Sequence, residues 1–333
     1  MLNYWSLLLS AASTTAFAAL YMLLGKKFGL YDHPNGRSSH ATPTMTGMGL
    51  VLVCAFLFFG FSTGFTLPDL FVVGVLMLAT VSFIDDIIFL KHSLRFLFQI
   101  LALLLMLWQL PFASQSQEQL VLTIAGVIFG IGVLNAFNFM DGINGMLLLN
   151  TFVILGSFLY INEFVTDAEG NPLHFTDSNF VVAMMISVAI MATLNARNKA
   201  LAFMGDVGSM TISIIILYLM YSLLLATGNY IYLLLFSIFG IDAGLTVGYK
   251  LILRENIFVP HRDFLFKRLV HIARLPHLKV SIGYALAQLF INSLVMLLPA
   301  SMKYAQQLSL LFIGITVQVV AYVLLRNTMV RRK

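Results

Sequence analysis

Apolar residues run along this chain in long blocks, and each block stops where polar residues and glycines gather. Cutting the sequence at those gatherings leaves eleven windows, at residues 3–24, 47–66, 70–84, 95–112, 119–135, 146–162, 179–194, 209–226, 230–247, 280–299 and 305–325. A helix needs about 20 apolar residues to cross a hydrocarbon core about 30 Å thick, and the windows are of that order. Strands of a membrane β-barrel would instead alternate over segments of about 10 residues, so a barrel is excluded. The pattern predicts an all-α polytopic membrane protein of ten to eleven spans, read as one integral-membrane domain over residues 1–333.

Composition supports this reading: 60% of residues are hydrophobic, 10% are charged, and the mean hydropathy is +0.93. The small-residue run "AASTTAFAA" near the start resembles a cleavable leader, but no basic residue precedes it and Lys26 and Lys27 follow it. That order predicts a retained first span with the N-terminus outside. Alternation from there makes segments 25–46, 85–94, 136–145, 195–208, 248–279 and 326–333 cytoplasmic, including the C-terminus. Of the 19 lysines and arginines only Lys303 then falls outside, as the positive-inside rule requires. Cys54 is the one cysteine and sits in an apolar window, so no disulfide forms within the chain.

The acidic residues divide differently. Asp69, Glu118, Glu163, Asp167, Glu169 and Asp177 fall in short outer loops, and the other eight are assigned to the inner side. Among those eight, Asp85, Asp86, Asp141 and Asp206 stand at the ends of apolar windows, where an ionisable side chain is costly unless it serves a wet or paired site. Four at one membrane face predict a single site.

In "SFIDDIIFLKHSLRF" the paired Asp85 and Asp86 diverge by about 100° on a helix, so they are expected to do different jobs. One would hold a cation and the other polarise or deprotonate a nucleophile; the alternative is a helix-end pair neutralised by Lys91 and Arg95. In "NAFNFMDGING" residues Asn135, Asn138 and Asp141 recur every third position on one flank, with Gly142 and Gly145 allowing a turn and a close backbone approach. "FMGDVGSM" opens a helix, with Asp206 or Ser209 as its N-cap, or with its N–H groups facing phosphate oxygens. The turn-rich "YDHPNGRSSHATPTMTGMG" carries Arg37 and His40. The inner loop at 248–279 carries "HRDFLFKRLVH", where His261 beside Arg262 could help hold a polyanion against the carboxylates. No dinucleotide fingerprint, P-loop or HExxH helix occurs.

Taken in order from about residue 31 to about 270, these motifs resemble the polyprenyl-phosphate N-acetylhexosamine-1-phosphate transferases. That family includes the bacterial phospho-N-acetylmuramoyl-pentapeptide transferase and the undecaprenyl-phosphate N-acetylglucosamine-1-phosphate transferase. The resemblance implies a Mg²⁺-dependent enzyme, with Mn²⁺ an admissible substitute, in the bacterial inner membrane. It would move a sugar 1-phosphate from a UDP-N-acetylhexosamine to undecaprenyl phosphate and release UMP. The lipid-linked product would initiate a cell-envelope glycan such as O-antigen or capsule. A homodimer is one option, and no nucleic-acid partner is implied. On matching positions the resemblance implies catalytic roles for Asp85, Asp86 and Asp141, and a metal held by Asp206 and Asp85. It implies substrate contacts from Asn138, Asn144, Asn195, Phe203, Arg37, His40, His261 and Arg262, with Phe203 stacking on uracil.

The chain departs from the family pattern at Asn144, where relatives often hold a second aspartate, and at the short Gly47-Met48-Gly49 turn. The histidine-rich pattern of the family's late loop is thinned here to His261, with Phe264, Phe266 and Lys267 at positions that could hold histidines, which argues against the muramoyl-pentapeptide substrate. Two other classes use part of the pattern. A polyprenyl-lipid flippase or transporter would carry its charges near the midplane in matched repeats, whereas here they gather at one face. An intramembrane aspartyl protease usually has Gly-x-Gly-Asp, and this chain reads Phe203-Met204-Gly205-Asp206.

Overall fold

The computed structural model describes residues 3–34, 42–64, 67–88, 90–110, 117–167, 169–255, 263–300 and 302–330. Helix α1 (Tyr4–Phe28) leads into a short antiparallel hairpin that pairs β1 (Tyr31–Asp32) with β2 (Thr44–Met45). Then follow α2 (Gly49–Thr63), α3 (Asp69–Ile88), α4 (His92–Gln109), α5 (Gln117–Met140), α6 (Met146–Phe164), α7 (Ser178–Asn195) and α8 (Gly205–Thr227). A 3₁₀ helix (Tyr230–Phe236) runs directly into α9 (Ser237–Ile252), and α10 (Leu265–His271), α11 (His277–Met296) and α12 (Tyr304–Val330) complete the described residues.

Among the described residues ten segments are long and apolar enough to cross a membrane, the 3₁₀ helix and α9 counting as one, and α2 is a shorter apolar helix of 15 residues. The protein is a multi-pass all-α membrane protein, and each of the eleven windows read from the sequence falls on one of these segments. The helix ends differ in a way that matters. α3 continues to Ile88 and α5 to Met140, because neither glycine nor proline interrupts the closing turns of either run. Asp85, Asp86, Asn135 and Asn138 are therefore fixed on rigid helices. Asp242 corrects the division of the acidic residues: it lies within α9, inside a membrane-crossing segment, not on the inner surface.

α8 is the most enclosed span, with 67% of its apolar window buried, against 6% for α12. The run Ile212–Leu223 is apolar on nearly all sides, as a helix surrounded by other helices must be. The hydroxyls of Thr211 and Ser213 are satisfied by the carbonyls of Val207 and Met210 in their own helix. α2 lies against α8 through two glycines, since a Cβ on Gly49 would run into the Gly208 backbone. The turn before α2 is zipped to the segment before α8: Phe203 N–H donates to Met45 O (2.7 Å), Met48 N–H to Phe203 O (3.0 Å) and Gly49 N–H to Met204 O (2.9 Å).

The span formed by the 3₁₀ helix and α9 is broken where the two meet. Such a break frees backbone groups that lipid cannot satisfy. Polar side chains of α11, and Ser237 of α9 itself, satisfy them here. Gln288 donates to Leu234 O and accepts from Ile238 N, Asn292 donates to Leu235 O, and the Ser237 hydroxyl bonds both Leu234 O and Gln318 Oε1. The outer face carries exposed apolar residues including Trp5, Phe61, Trp108 and Phe312, as a lipid-facing surface does.

Candidate functional site

At the end of α3 the two adjacent aspartates part company. Asp85 is 6% exposed; its Oδ1 accepts from Leu90 N (2.6 Å) and its Oδ2 meets Arg95 Nη1 (2.7 Å). The first bond folds the α3–α4 turn back on itself, and the second ties α4 to α3. Asp86 faces α8 and accepts from the backbone N–H groups of Asp206 (2.9 Å) and Val207 (3.3 Å). It thereby satisfies two donors that the start of any helix leaves open.

The expected N-cap of α8 by Asp206 or Ser209 is thus replaced. Met204 holds the cap position without a side-chain bond, and Asp86 supplies the cap from another helix. Those N–H groups are occupied by a carboxylate of the protein itself. Gly205 makes this approach feasible: its φ is +69°, and a Cβ there would collide with the Asp86 carboxylate.

Freed from capping, the Asp206 side chain receives Arg95 Nη2 (2.8 Å) and Asn138 Nδ2 (2.8 Å). Arg95 therefore bridges Asp85 and Asp206 with the two arms of one guanidinium, a fork that lysine cannot reproduce. The same Asn138 amide reaches Ser209 Oγ (3.0 Å), and one turn earlier Asn135 donates to Gln99 Oε1 (3.0 Å). Four helices, α3, α4, α5 and α8, are knit together through this cluster.

Asp141 follows directly after α5 and lines the same cavity as Asp206 and Asn138. Burial, then the charges of Asp206 and Asp86, push its carboxyl well above the usual carboxylate range. Part of its surface still opens onto the cavity.

Asn144 and Asn195 are brought near this end of the molecule, but their amides bind backbone. Asn144 Nδ2 donates to Arg197 O (2.7 Å), while Asn195 accepts from Gly145 N (2.8 Å) and donates to Ala202 O (3.0 Å). Gly145, with φ of +79°, makes the turn that brings its N–H to Asn195. Phe203 is half-buried in the zipped segment between Met45 and Met48. Arg37, His40, His261 and Arg262 lie outside the described residues.

A cavity of about 1220 Å³ opens from the cluster. Arg95, Asn138, Asp141, Asp206 and Lys267 line its polar end, and Phe129, Phe236, Leu311 and Ile315 line its apolar reach. Among the described residues no group of three or more His, Cys, Asp or Glu side chains is arranged as a metal cage. Asp85 and Asp206, which share one cation between them already, do fit a Mg²⁺ that takes one or two carboxylates and completes its shell with phosphate and water.

The motifs give Arg95 only the part of a neutralising neighbour, and neither Gln99 nor Asp242 falls within their assignments. Both carry a signal all the same. Gln99 stands one helical turn after Arg95 in an otherwise apolar window, and Asp242 is a carboxylate inside a 23-residue apolar span.

The protein thus joins an ion-bridged carboxylate cluster to a cavity that is largely apolar beyond it. Residues 69–224, which carry the aspartate pair, the asparagine flank and Asp206, match the family model described as "Glycosyl transferase family 4", and this part of the chain belongs to that family. The family comprises polyprenyl-phosphate hexosamine-1-phosphate transferases, so a nucleotide-sugar donor and a polyprenyl-phosphate acceptor are its general substrates. No curated protein matches the chain.

Proposed function

We propose that this protein is a Mg²⁺-dependent UDP-N-acetylhexosamine:undecaprenyl-phosphate sugar-1-phosphate transferase of the bacterial inner membrane, whose product initiates an envelope glycan such as O-antigen or capsule. The observation that carries this reading is the position of Asp206. It is held by Arg95 and Asn138 at the polar end of a cavity whose remainder is apolar.

An oxygen of the lipid phosphate attacks the sugar-bearing phosphorus of the donor. The bond from that phosphorus to the UMP oxygen breaks, and UMP leaves with the electron pair. Several negative charges meet in this step, so charge neutralisation and alignment supply most of the help. Asp206 and Asp85 are the residues that would hold a Mg²⁺, and the ion would supply charge stabilisation to the reacting phosphates. Asn138 orients Asp206, and Asp86 fixes the first turn of α8 from which Asp206 projects.

Asp141 is the proton acceptor for the lipid phosphate. Its contribution is small at neutral pH, because a phosphate monoester loses its second proton near pH 6. Phe203 is assigned to the uracil ring. Asn144, Asn195, Arg37, His40, His261 and Arg262 remain assigned to the substrate side of the site, the two asparagines through the loops they hold.

An aspartyl protease needs two carboxylates that share one proton. Here Asp86 is committed to two backbone N–H groups, and Asp85 and Asp206 to one guanidinium, which favours the transferase. The test is purified protein given undecaprenyl phosphate and a panel of UDP-sugars, with and without Mg²⁺. UMP release and a lipid product heavier by one sugar phosphate are expected, and no UMP with any donor would overturn the reading.

A further inference from the structure

We infer that Lys267 contacts the phosphate of the lipid acceptor and that Asp242, outside the carboxylate cluster, is the residue that positions it. The inference rests on the transferase reading above. Asp242 lies in α9 and is 1% exposed. Its Oδ1 accepts from Leu265 N (2.8 Å) and its Oδ2 from Phe266 N (3.3 Å), the first two N–H groups of α10. The Tyr284 hydroxyl on α11 donates to the same Oδ2 (2.8 Å), and the Thr246 hydroxyl lies 3.4 Å from Oδ1. A helix of seven residues does not hold itself in water. The carboxylate clamps its first turn to a membrane helix and so fixes where its side chains point.

The clamp presents Lys267. The rings of Phe264 and Phe266 stack with centroids 5.7 Å apart, and Lys267 Nζ sits 5.5 and 5.7 Å from them. Its stem crosses Gly142, where a Cβ would come within 3.0 Å of both Lys267 Cε and the Phe266 ring. The bare glycine beside Asp141 leaves the gap that admits the lysine to the site. Phe264, Phe266 and Lys267 therefore form one unit, an aromatic shelf with an ammonium on it.

The position of that shelf selects the ligand. Lys267 lines the same cavity as Ile241, Gly244 and Val247 of α9 and Leu311 and Ile315 of α12. An isoprenoid tail lying in that apolar reach brings its phosphate to the polar end. Among the described residues, the basic side chains there are His92, Arg95 and Lys267. Arg95 is carried on α4 and held to Asp85 and Asp206, whereas Lys267 is carried by the element that borders the groove. A lysine ammonium is a point charge suited to phosphate, and its alkyl stem tolerates the neighbouring lipid chain.

The experiment uses full-length protein in nanodiscs, with undecaprenyl phosphate, neutral undecaprenol and UDP-N-acetylglucosamine as probes. In Lys267→Ala the KM for undecaprenyl phosphate should rise at least about tenfold with the donor KM within threefold, and Lys267→Arg should recover most of the loss. Undecaprenyl phosphate should raise the Tm of the wild type but not of Lys267→Ala, while undecaprenol affects both alike. Asp242→Asn should raise the lipid KM in the wild type yet change it less than about twofold in the Lys267→Ala background, as expected of a residue that acts through another. A rise in donor KM alone, or no change in either KM, would overturn the lysine assignment. Independent multiplication of the two effects would overturn the role of Asp242. Lipid-phosphate stabilisation that is lost in Lys267→Ala would support the inference even if no donor turned over, a result that would count only against the proposed function.

Discussion

Two aspartates in this molecule perform the same structural act. Asp86 reaches from α3 to cap the start of α8, and Asp242 reaches from α9 to cap the start of α10, each accepting two backbone N–H groups of a helix not its own. Their surroundings differ. Asp242 is enclosed by Tyr284, Thr246 and the backbone it binds. Asp86 stands beside Asp85 and close to Asp206, and Asp206 lines the polar end of a large cavity. One carboxylate fixes a scaffold, and the other fixes a scaffold from within the chemistry. Substitutions should therefore separate activity from stability in opposite proportions at the two positions.

The largest effect is expected at the residue that Asp86 places. Asp206→Asn keeps the size and the hydrogen bond with Asn138 but removes the charge, and should lower turnover by at least about 10³-fold if it holds the metal as proposed above, since such a ligand carries several kcal/mol of charge stabilisation. Its Tm should stay near that of the wild type, and release of labelled UMP measures the loss. Asp86→Ala should come next, at about 10²-fold in turnover through displacement of Asp206, a misplacement effect. Its stability cost should be only about 1–2 kcal/mol, as for other lost helix caps.

Asp242→Ala should invert that balance. It leaves two backbone donors and a tyrosine hydroxyl buried without an acceptor, and should cost about 2–4 kcal/mol, seen as a lower Tm, while the dependence on Mg²⁺ concentration stays unchanged. Gly49→Ala breaks the scaffold without touching either carboxylate. The new methyl meets the Gly208 backbone, and overpacking of this kind costs about 1–3 kcal/mol.

The smallest effect concerns pH. Asp141 holds its proton above the usual carboxylate range, so it becomes a proton acceptor only as pH rises. Turnover should show an ascending limb that Asp141→Asn flattens, by a few-fold at most, because the lipid phosphate is itself largely ionised above about pH 6. An unchanged limb in the variant would assign it to another group.

The features legible in the order of residues are those that obey local rules. Hydrocarbon selects apolar runs by length, so the eleven windows are legible, as is the divergence of Asp85 from Asp86, which needs only the helical step. The flank of Asn135 and Asn138 is legible for the same reason. The cap of α8 is not, because its acceptor lies 120 residues away on α3. The helix α10 is hidden as well: seven residues have little propensity of their own, and the carboxylate that clamps them sits in an apolar window.

Partition between lipid and water depends on each segment alone, so the amino-acid order is enough to commit this chain to many membrane crossings with its acidic chemistry at helix ends. Which carboxylate caps, which is bridged by Arg95 and which opens onto the cavity are settled in three dimensions. Helices that are apolar on nearly every side carry no stripe that states their neighbours, so packing contacts, such as the one between Gly49 and Gly208, set those pairings.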